Sequence, residues 1–172
     1  MRLYRGQIPT IAEEMTQSLI KEGHIEVLPE YVVEVNLDIE ASLKEYNRRD
    51  RQLLERAKDM VSARNLDYSH TGRIRQTLAD REKFGIGDKA YEYVIRQLIE
   101  VLMHSRNVEE IYAEDKDLRL TMRNVLRRYA GTDRDLDRQV RARIKNLQEG
   151  TTNWEVEYER VMGDLRSSKR LN

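Results

Sequence analysis

Apolar residues recur every three or four positions along most of the chain, and this spacing constrains the fold more than any other feature of the sequence. In the first such segment the recurring residues are Ile11, Met15 and Leu19, and later segments repeat the spacing. Residues three or four apart lie on one face of an α-helix, so each segment predicts a helix with one buried face. The sequence therefore predicts an all-α protein packed as a helical bundle.

The composition agrees with a helical fold. The 172 residues include one Phe, one Trp, two Pro and eight Gly, whereas sheets are rich in aromatic residues and turns are rich in Gly and Pro. The absence of cysteine excludes disulfide, zinc-thiolate and cysteine-nucleophile chemistry. No segment has the roughly 18 apolar residues that cross a membrane, and the start lacks the apolar core of a signal peptide. We therefore expect a cytoplasmic protein with no membrane partner.

Capping patterns predict where the helices of the first half begin and end. Thr10 lies three residues before Glu13, a capping-box spacing, and Gly23 is placed to end that first helix. Between Val32 and Leu37 the apolar residues also alternate as in a strand, but the helical spacing continues for two more turns and favours a helix. The apolar residues that follow belong either to the same long helix or to one that begins after a break near Asn47.

The second half carries similar signals. Asn107 and Glu110 form a capping pair for a short helical turn. Gly131 and Thr132 interrupt an apolar stripe, which predicts a break between two helices. Thr152 carries a further capping pattern and predicts the start of the last helix.

The two halves also match each other in sequence, which indicates a tandem duplication. The best match pairs residues 35–61 with residues 118–144, and the stretch at 83–87 is the best linker in the chain. We therefore predict two related helical units, 1–83 and 84–172. The identical pairs include Leu37 with Leu120, Leu43 with Leu126, Tyr46 with Tyr129, Asp50 with Asp133 and Leu53 with Leu136.

Asp50 and Asp133 stand at equivalent positions of the two predicted repeats. We interpret both as first-turn residues of helices that begin after the breaks at Asn47 and Thr132, where a negative charge suits the helix dipole. The alternative is that each is a buried carboxylate, which would need an arginine partner.

Three segments resemble a known family. They are residues 1–5, residues 18–27 and the closing segment Trp154–Arg160. Together they resemble the helical bacterial proteins of domain of unknown function family 507. The resemblance implies two fused copies that cover most of the chain, and it implies no activity and no catalytic residue.

The residues show no pattern that catalysis requires. His24, His70 and His104 are too far apart in sequence to form a helical metal pair, which needs two ligands one turn apart. No hydrolase elbow, phosphate loop or Glu-x-x-His pattern is present. We therefore expect no enzyme activity, no cofactor and no metal.

Two features point instead to a binding protein. Tyr and Arg are abundant, a composition enriched in protein interfaces. Basic residues also form a stripe that could follow a phosphate backbone, although acidic residues interleave with it. The sequence thus favours a non-catalytic protein–protein interaction module, a scaffold or regulator, and leaves a homo-oligomer open. Binding of nucleic acid or the ribosome is the alternative. The basic stripe consists of Arg134, Arg138, Arg141 and Lys145.

The last predicted helix supplies the other candidate binding residues. It holds the only Trp of the chain, Trp154, on one face with Tyr158, Val161 and Leu165. Such a helix either closes its own bundle or anchors a partner through Trp154 and Tyr158. We favour closure of the bundle, because an exposed Trp forfeits the free energy of its burial.

Overall fold

The computed structural model describes residue 3 and residues 5–148 and 151–170, with side chains for these except at 130–135, 152, 155 and 166–170. Most of these residues are helical, which confirms the predicted all-α class. The elements in chain order are α1 (Ile8–Lys21), β1 (Ile25–Glu26), α2 (Val32–Ala63), α3 (Thr71–Arg81), α4 (Ala90–His104), β2 (Glu110–Ile111), α5 (Asp115–Arg143) and α6 (Thr152–Arg170).

The two short strands pair with each other across a long sequence separation. They run antiparallel, with Ile25 opposite Ile111 and Glu26 opposite Glu110. The backbone N–H groups of Tyr112 and Ala113 also donate to the carbonyl oxygen of His24, at 3.0 and 3.2 Å. These hydrogen bonds link the segment after α1 to the segment after α4.

The chain divides into two compact units, Met1–Tyr129 and Ala130–Asn172, and the boundary falls within α5. In the first unit, α2 packs against α1, α3 and α4. Burying a large apolar side chain contributes about 1.5–3 kcal/mol, so these helix faces dominate the stability of the unit. Its fully buried large residues include Ile11, Met15, Leu19, Ile39, Leu43, Ile95, Leu98, Leu102, Met122 and Leu126.

The second unit buries the apolar face of α6 as the spacing predicted. Tyr158, Val161 and Leu165 are all buried, and so is Met162 beside them. Among the described side chains of α5 in this unit, Leu136 and Val140 are buried, and the buried Ile144 follows directly after that helix. The predicted repeats, 1–83 and 84–172, divide the chain by sequence duplication, whereas the two units divide it by compactness. The compact units therefore do not test the repeats, which stay a prediction.

At Asn47 the structure has the single long helix, one of the two alternatives, whereas the predicted break at Gly131 and Thr132 is wrong. α2 runs without interruption past Asn47, whose side-chain amide donates to the carbonyl oxygen of Leu3 at 2.7 Å. α5 likewise continues through Gly131 and Thr132. A glycine inside a helix costs only about 1 kcal/mol relative to alanine, less than the burial of the apolar face on either side of it.

Asp50 and Asp133 consequently lie inside continuous helices, and their interpretation as first-turn residues is wrong. The carboxylate of Asp50 is half-buried and forms an ion pair with Arg75 of α3. The side chain of Asp133 lies outside the described residues. The role of Asp50 is therefore to join two neighbouring helices of the first unit.

Several predicted caps also differ from the structure. α1 begins at Ile8, so Thr10 lies within the helix and forms no capping box; Pro9, which lacks an N–H group, occupies the first turn instead. The segment at Asn107 leads into β2 rather than into a helical turn. At the start of α6 the cap is Thr151, whose hydroxyl accepts from the Trp154 N–H at 3.3 Å, and not Thr152.

Candidate functional site

The candidate residues on α5 and α6 form a cluster in the second unit. The rings of Trp154 and Tyr158 are stacked, with centroids 4.9 Å apart and planes at 26°. The guanidinium carbon of Arg141 lies 5.4 Å from the centroid of the Trp154 ring, within the range of a cation–π interaction. The sequence spacing thus identified three residues that do come together.

Asp137, which the sequence did not single out, connects these three residues. Its carboxylate accepts from Arg141 Nε at 2.9 Å and from the Tyr158 hydroxyl at 2.5 Å. Tyr158 is only 4% exposed, and Trp154 is half-buried. The cluster therefore holds α6 against the end of α5 within this unit.

The other three residues of the basic stripe are Arg134, Arg138 and Lys145. Arg138 and Lys145 are exposed, and the side chain of Arg134 lies outside the described residues. Arg141 differs from a free surface cation because its charge is paired with Asp137 and lies over the Trp154 ring.

His24 lies in a polar cluster with Thr121 and Glu22. His24 Nε2 lies 3.1 Å from Thr121 Oγ1 and 3.0 Å from Glu22 Oε2. Both oxygens approach the same ring nitrogen, whereas a catalytic triad needs the nucleophile and the orienting carboxylate on opposite nitrogens. Among the residues that the structure describes, no three His, Cys, Asp or Glu side chains are placed to hold a metal ion.

A groove of about 390 Å³ lies between α2 and α4 in the first unit. Sequence reasoning missed it. α2, α4 and the loop before α4 all contribute side chains to it, and most of the lining surface is apolar. The lining residues are Asp38, Ala41, Ser42, Glu45, Tyr46, Arg49, Phe84, Tyr93, Val94, Gln97 and Val101.

Three aromatic rings form one end of this groove. Tyr46 stacks on Phe84 with centroids 5.1 Å apart, and Tyr93 lies 4.8 Å from Phe84. The Tyr46 hydroxyl donates to the carbonyl oxygen of Gly85 at 3.1 Å. Burial raises the pKa of Tyr46 well above its ordinary value, and the nearby Asp50 carboxylate adds to the shift, so this phenol stays neutral.

Charged side chains surround the aromatic end. The Arg49 guanidinium lies 4.9 Å above the Phe84 ring, and its Nη1 donates to the Tyr93 hydroxyl at 3.0 Å. Arg96 lies 5.5 Å from the centroid of the Tyr93 ring. The hydrogen bonds that Arg48 donates lower the pKa of Glu45, which stays ionised and paired at neutral pH. The groove therefore presents an aromatic surface beside an arginine.

A second feature of the first unit is an exposed apolar surface at the start of α2, here called the α2 apolar face. Val33 is 62% exposed and Leu37 is 56% exposed, one helical turn apart. Leu28 and Tyr31, in the turn just before the helix, are also exposed, and the name includes them. Large apolar residues that cluster on a surface mark interaction sites more often than single ones do.

The sequence carried a signal for this face that was interpreted differently. Val33 and Leu37 do not belong to the buried stripe of α2, which contains Val35, Ile39 and Leu43. They contributed instead to the strand-like alternation noted above. An amphipathic helix with two further apolar residues, four apart and outside its core stripe, predicts an exposed apolar patch.

The fold defines an all-α helical-bundle protein, and among the described residues no helix combines the length and the apolarity needed to cross a membrane. The chain belongs to the family described as protein of unknown function (DUF507), whose model matches residues 1–171. This match confirms the family resemblance, and the two-copy interpretation stays a prediction. No curated protein matches the chain.

Proposed function

We propose that this protein is a non-catalytic, cytoplasmic protein–protein interaction module, a scaffold or regulator, that binds its partner through the α2 apolar face. The observation that carries the proposal is the exposure of Val33 and Leu37 on one side of a well-packed helix. Burying a Val or Leu side chain contributes about 1.5–3 kcal/mol, so a partner that covers both gains substantial affinity. A rigid helix presents this face at little cost in conformational entropy.

The charges around the face indicate the chemistry of the partner. Glu30 and Glu34 are exposed beside Tyr31 and Val33. In the part of the chain that the structure describes, neither carboxylate has an ion-pair partner. A partner helix with an apolar stripe flanked by lysine or arginine complements this surface in both polarity and charge. We therefore propose a basic amphipathic helix of another protein as the occupant.

We also propose that the chain arose by duplication of a helix–strand–helix unit. The order α1, β1, α2 matches the order α4, β2, α5, and the two strands pair antiparallel with each other. Leu37 and Leu120, which the sequence match makes equivalent, are both 56% exposed. These agreements in element order and exposure support the duplication.

The duplication predicts a structural superposition. In an experimental structure, residues 8–46 are expected to superpose on residues 90–129, with the helices in the same order and direction and Tyr46 on Tyr129. Helix pairs that differ in direction or in handedness of connection would contradict the duplication.

The interaction proposal is tested by a matched pair of substitutions. Val33→Glu places a charge in the α2 apolar face, whereas Val156→Glu makes the same change at a 60% exposed position of α6. When tagged protein captures partners from an extract of its source organism, we expect Val33→Glu to lower recovery of the specific partner at least about tenfold, which corresponds to 1.4 kcal/mol. Val156→Glu is expected to leave recovery unchanged.

Other outcomes of this capture would contradict the proposal. Loss with Val156→Glu alone would locate the partner on α6, near Trp154. Capture that nuclease abolishes, and that weakens steeply between about 50 and 200 mM salt, would indicate a nucleic-acid or ribosome-associated protein instead.

A further inference from the structure

Arg49, at the aromatic end of the groove, has hydrogen-bonding capacity that the protein does not use. A guanidinium carries five N–H donors, and the one hydrogen bond of Arg49 in the described residues is to the Tyr93 hydroxyl. No described carboxylate lies within ion-pair distance of it. Because Arg49 is half-buried against Phe84, this cation is positioned by packing rather than by an anion of the chain.

The groove beside Arg49 has the size and lining of a small-molecule site. Its volume of about 390 Å³ falls within the range of roughly 300–1,000 Å³ that is typical of ligand pockets. Phe84 and Val94 provide buried apolar surface, and Ala41 and Val101 continue it along the two helices. The apolar part of a ligand would therefore contact carbon atoms of both helices that line the groove.

Both acidic residues that line the groove accept hydrogen bonds from side chains other than Arg49. Glu45 is paired with Arg48 through two hydrogen bonds of 2.7 Å. Asp38 accepts from the Ser105 hydroxyl at 3.0 Å and stands at the other end of the groove. At 1.5 Å per residue, Asp38 and Arg49 lie about 16 Å apart along α2, beyond the Debye length of about 8 Å at physiological ionic strength.

We propose that this groove binds a small amphiphilic carboxylate. The carboxylate accepts hydrogen bonds from the free N–H groups of Arg49, and the apolar body lies along Phe84, Val94 and Val101. A single guanidinium neutralises one negative charge and matches the planar carboxylate, which favours this head group. This binding site is distinct from the α2 apolar face and does not depend on the function proposed for that face.

Three probes with the same ten-carbon chain test the head group on the wild-type protein. Decanoate, decanol and decyltrimethylammonium are titrated by calorimetry below their micelle-forming concentrations. We expect decanoate to bind at least about tenfold more tightly than decanol, and decyltrimethylammonium to bind most weakly. Because this comparison needs no substitution, it does not depend on whether a variant folds.

A pair of arginine variants then locates the head group. In Arg49→Gln, decanoate is expected to lose its advantage over decanol while decanol affinity stays within twofold. Arg51→Gln removes the same charge at an exposed position two residues away, and it is expected to retain the wild-type preference. Thermal melts of both variants check that the fold persists.

Four results would overturn the proposal. Tightest binding of decyltrimethylammonium would show that the aromatic rings and Asp38 hold a cation. Equal binding of all three probes, or no binding of decanoate at millimolar concentration, would show that Arg49 selects no anion. A decanoate preference that survives Arg49→Gln would place the head group elsewhere.

Discussion

Replacing Gly85 with alanine is expected to lower the free energy of unfolding by about 2–3 kcal/mol, at the upper end of the usual cost of overpacking. A Cβ atom at Gly85 would overlap the Cβ of Tyr93 and lie 2.6 Å from the carbonyl oxygen of Lys89. Neither atom is the end of a flexible side chain, so α4 itself must move to make room. The shift would also disturb the hydrogen bond from Tyr46 to the Gly85 carbonyl oxygen.

The control for this variant is Gly72→Ala. Gly72 lies in α3, and the position that a Cβ would occupy there is open. Alanine is favoured over glycine in helices by about 0.5–1 kcal/mol, so this variant is expected to be slightly more stable than the wild type. Urea unfolding followed by circular dichroism measures both changes. Equal midpoints for the two variants would show that the loop before α4 does not pack as described.

Replacing Trp154 with alanine is expected to lower the free energy of unfolding of the second unit by about 2–3 kcal/mol. Removing a fully buried aromatic side chain typically costs about 3–5 kcal/mol, and the effect here is smaller because Trp154 is half-buried. The substitution removes the stack on Tyr158 and the surface beneath Arg141. Both contacts lie within the second unit and join α5 to α6. Hydrogen exchange of the α6 amides reports the loss locally, as faster exchange in the variant.

Val156→Ala serves as the control, because Val156 lies on the exposed side of the same helix and surface substitutions usually change stability by less than about 0.5 kcal/mol. The two alternatives for Trp154, closing the bundle or anchoring a partner, predict different results. If Trp154→Ala leaves α6 exchange unchanged but abolishes partner capture, Trp154 is an interface anchor, and the assignment of the partner to the α2 apolar face is wrong.

The sequence predicted the helices because their signal is local. The apolar stripe of α2 places Ile39, Leu43 and Tyr46 on one face without any knowledge of what covers them, and all three are buried. The same spacing places Trp154 and Tyr158 one turn apart, where their rings stack. The spacing of apolar residues alone is sufficient to predict these helices and their buried faces.

Helix breaks were harder to predict, because a local signal competes with burial. Asn47 and Gly131 have low helix propensity, but each stands between apolar segments that continue the same helix. A penalty of about 1 kcal/mol or less per residue does not outweigh the burial of several large side chains. Such breaks are predicted reliably only when the packing on both sides is known.

The groove and the strand pair depend on contacts between residues far apart in sequence. Phe84 lies in a segment whose sequence is typical of a linker. Its position in the groove follows from its packing on Tyr46 and Tyr93, which the sequence does not show. Similarly, Asp137 connects Arg141 and Tyr158 only once α5 and α6 are paired. No periodicity within a single helix contains this information.

Site-specific photo-crosslinking tests the central claim, partner binding at the α2 apolar face, most directly. Benzoylphenylalanine is introduced in place of Val33, Leu37 or, as the control, Val156, and the protein is irradiated in an extract of its source organism. We expect an adduct of one discrete protein mass from positions 33 and 37, resistant to nuclease, and none from position 156. An adduct from position 156 alone, or one that nuclease removes, would contradict it.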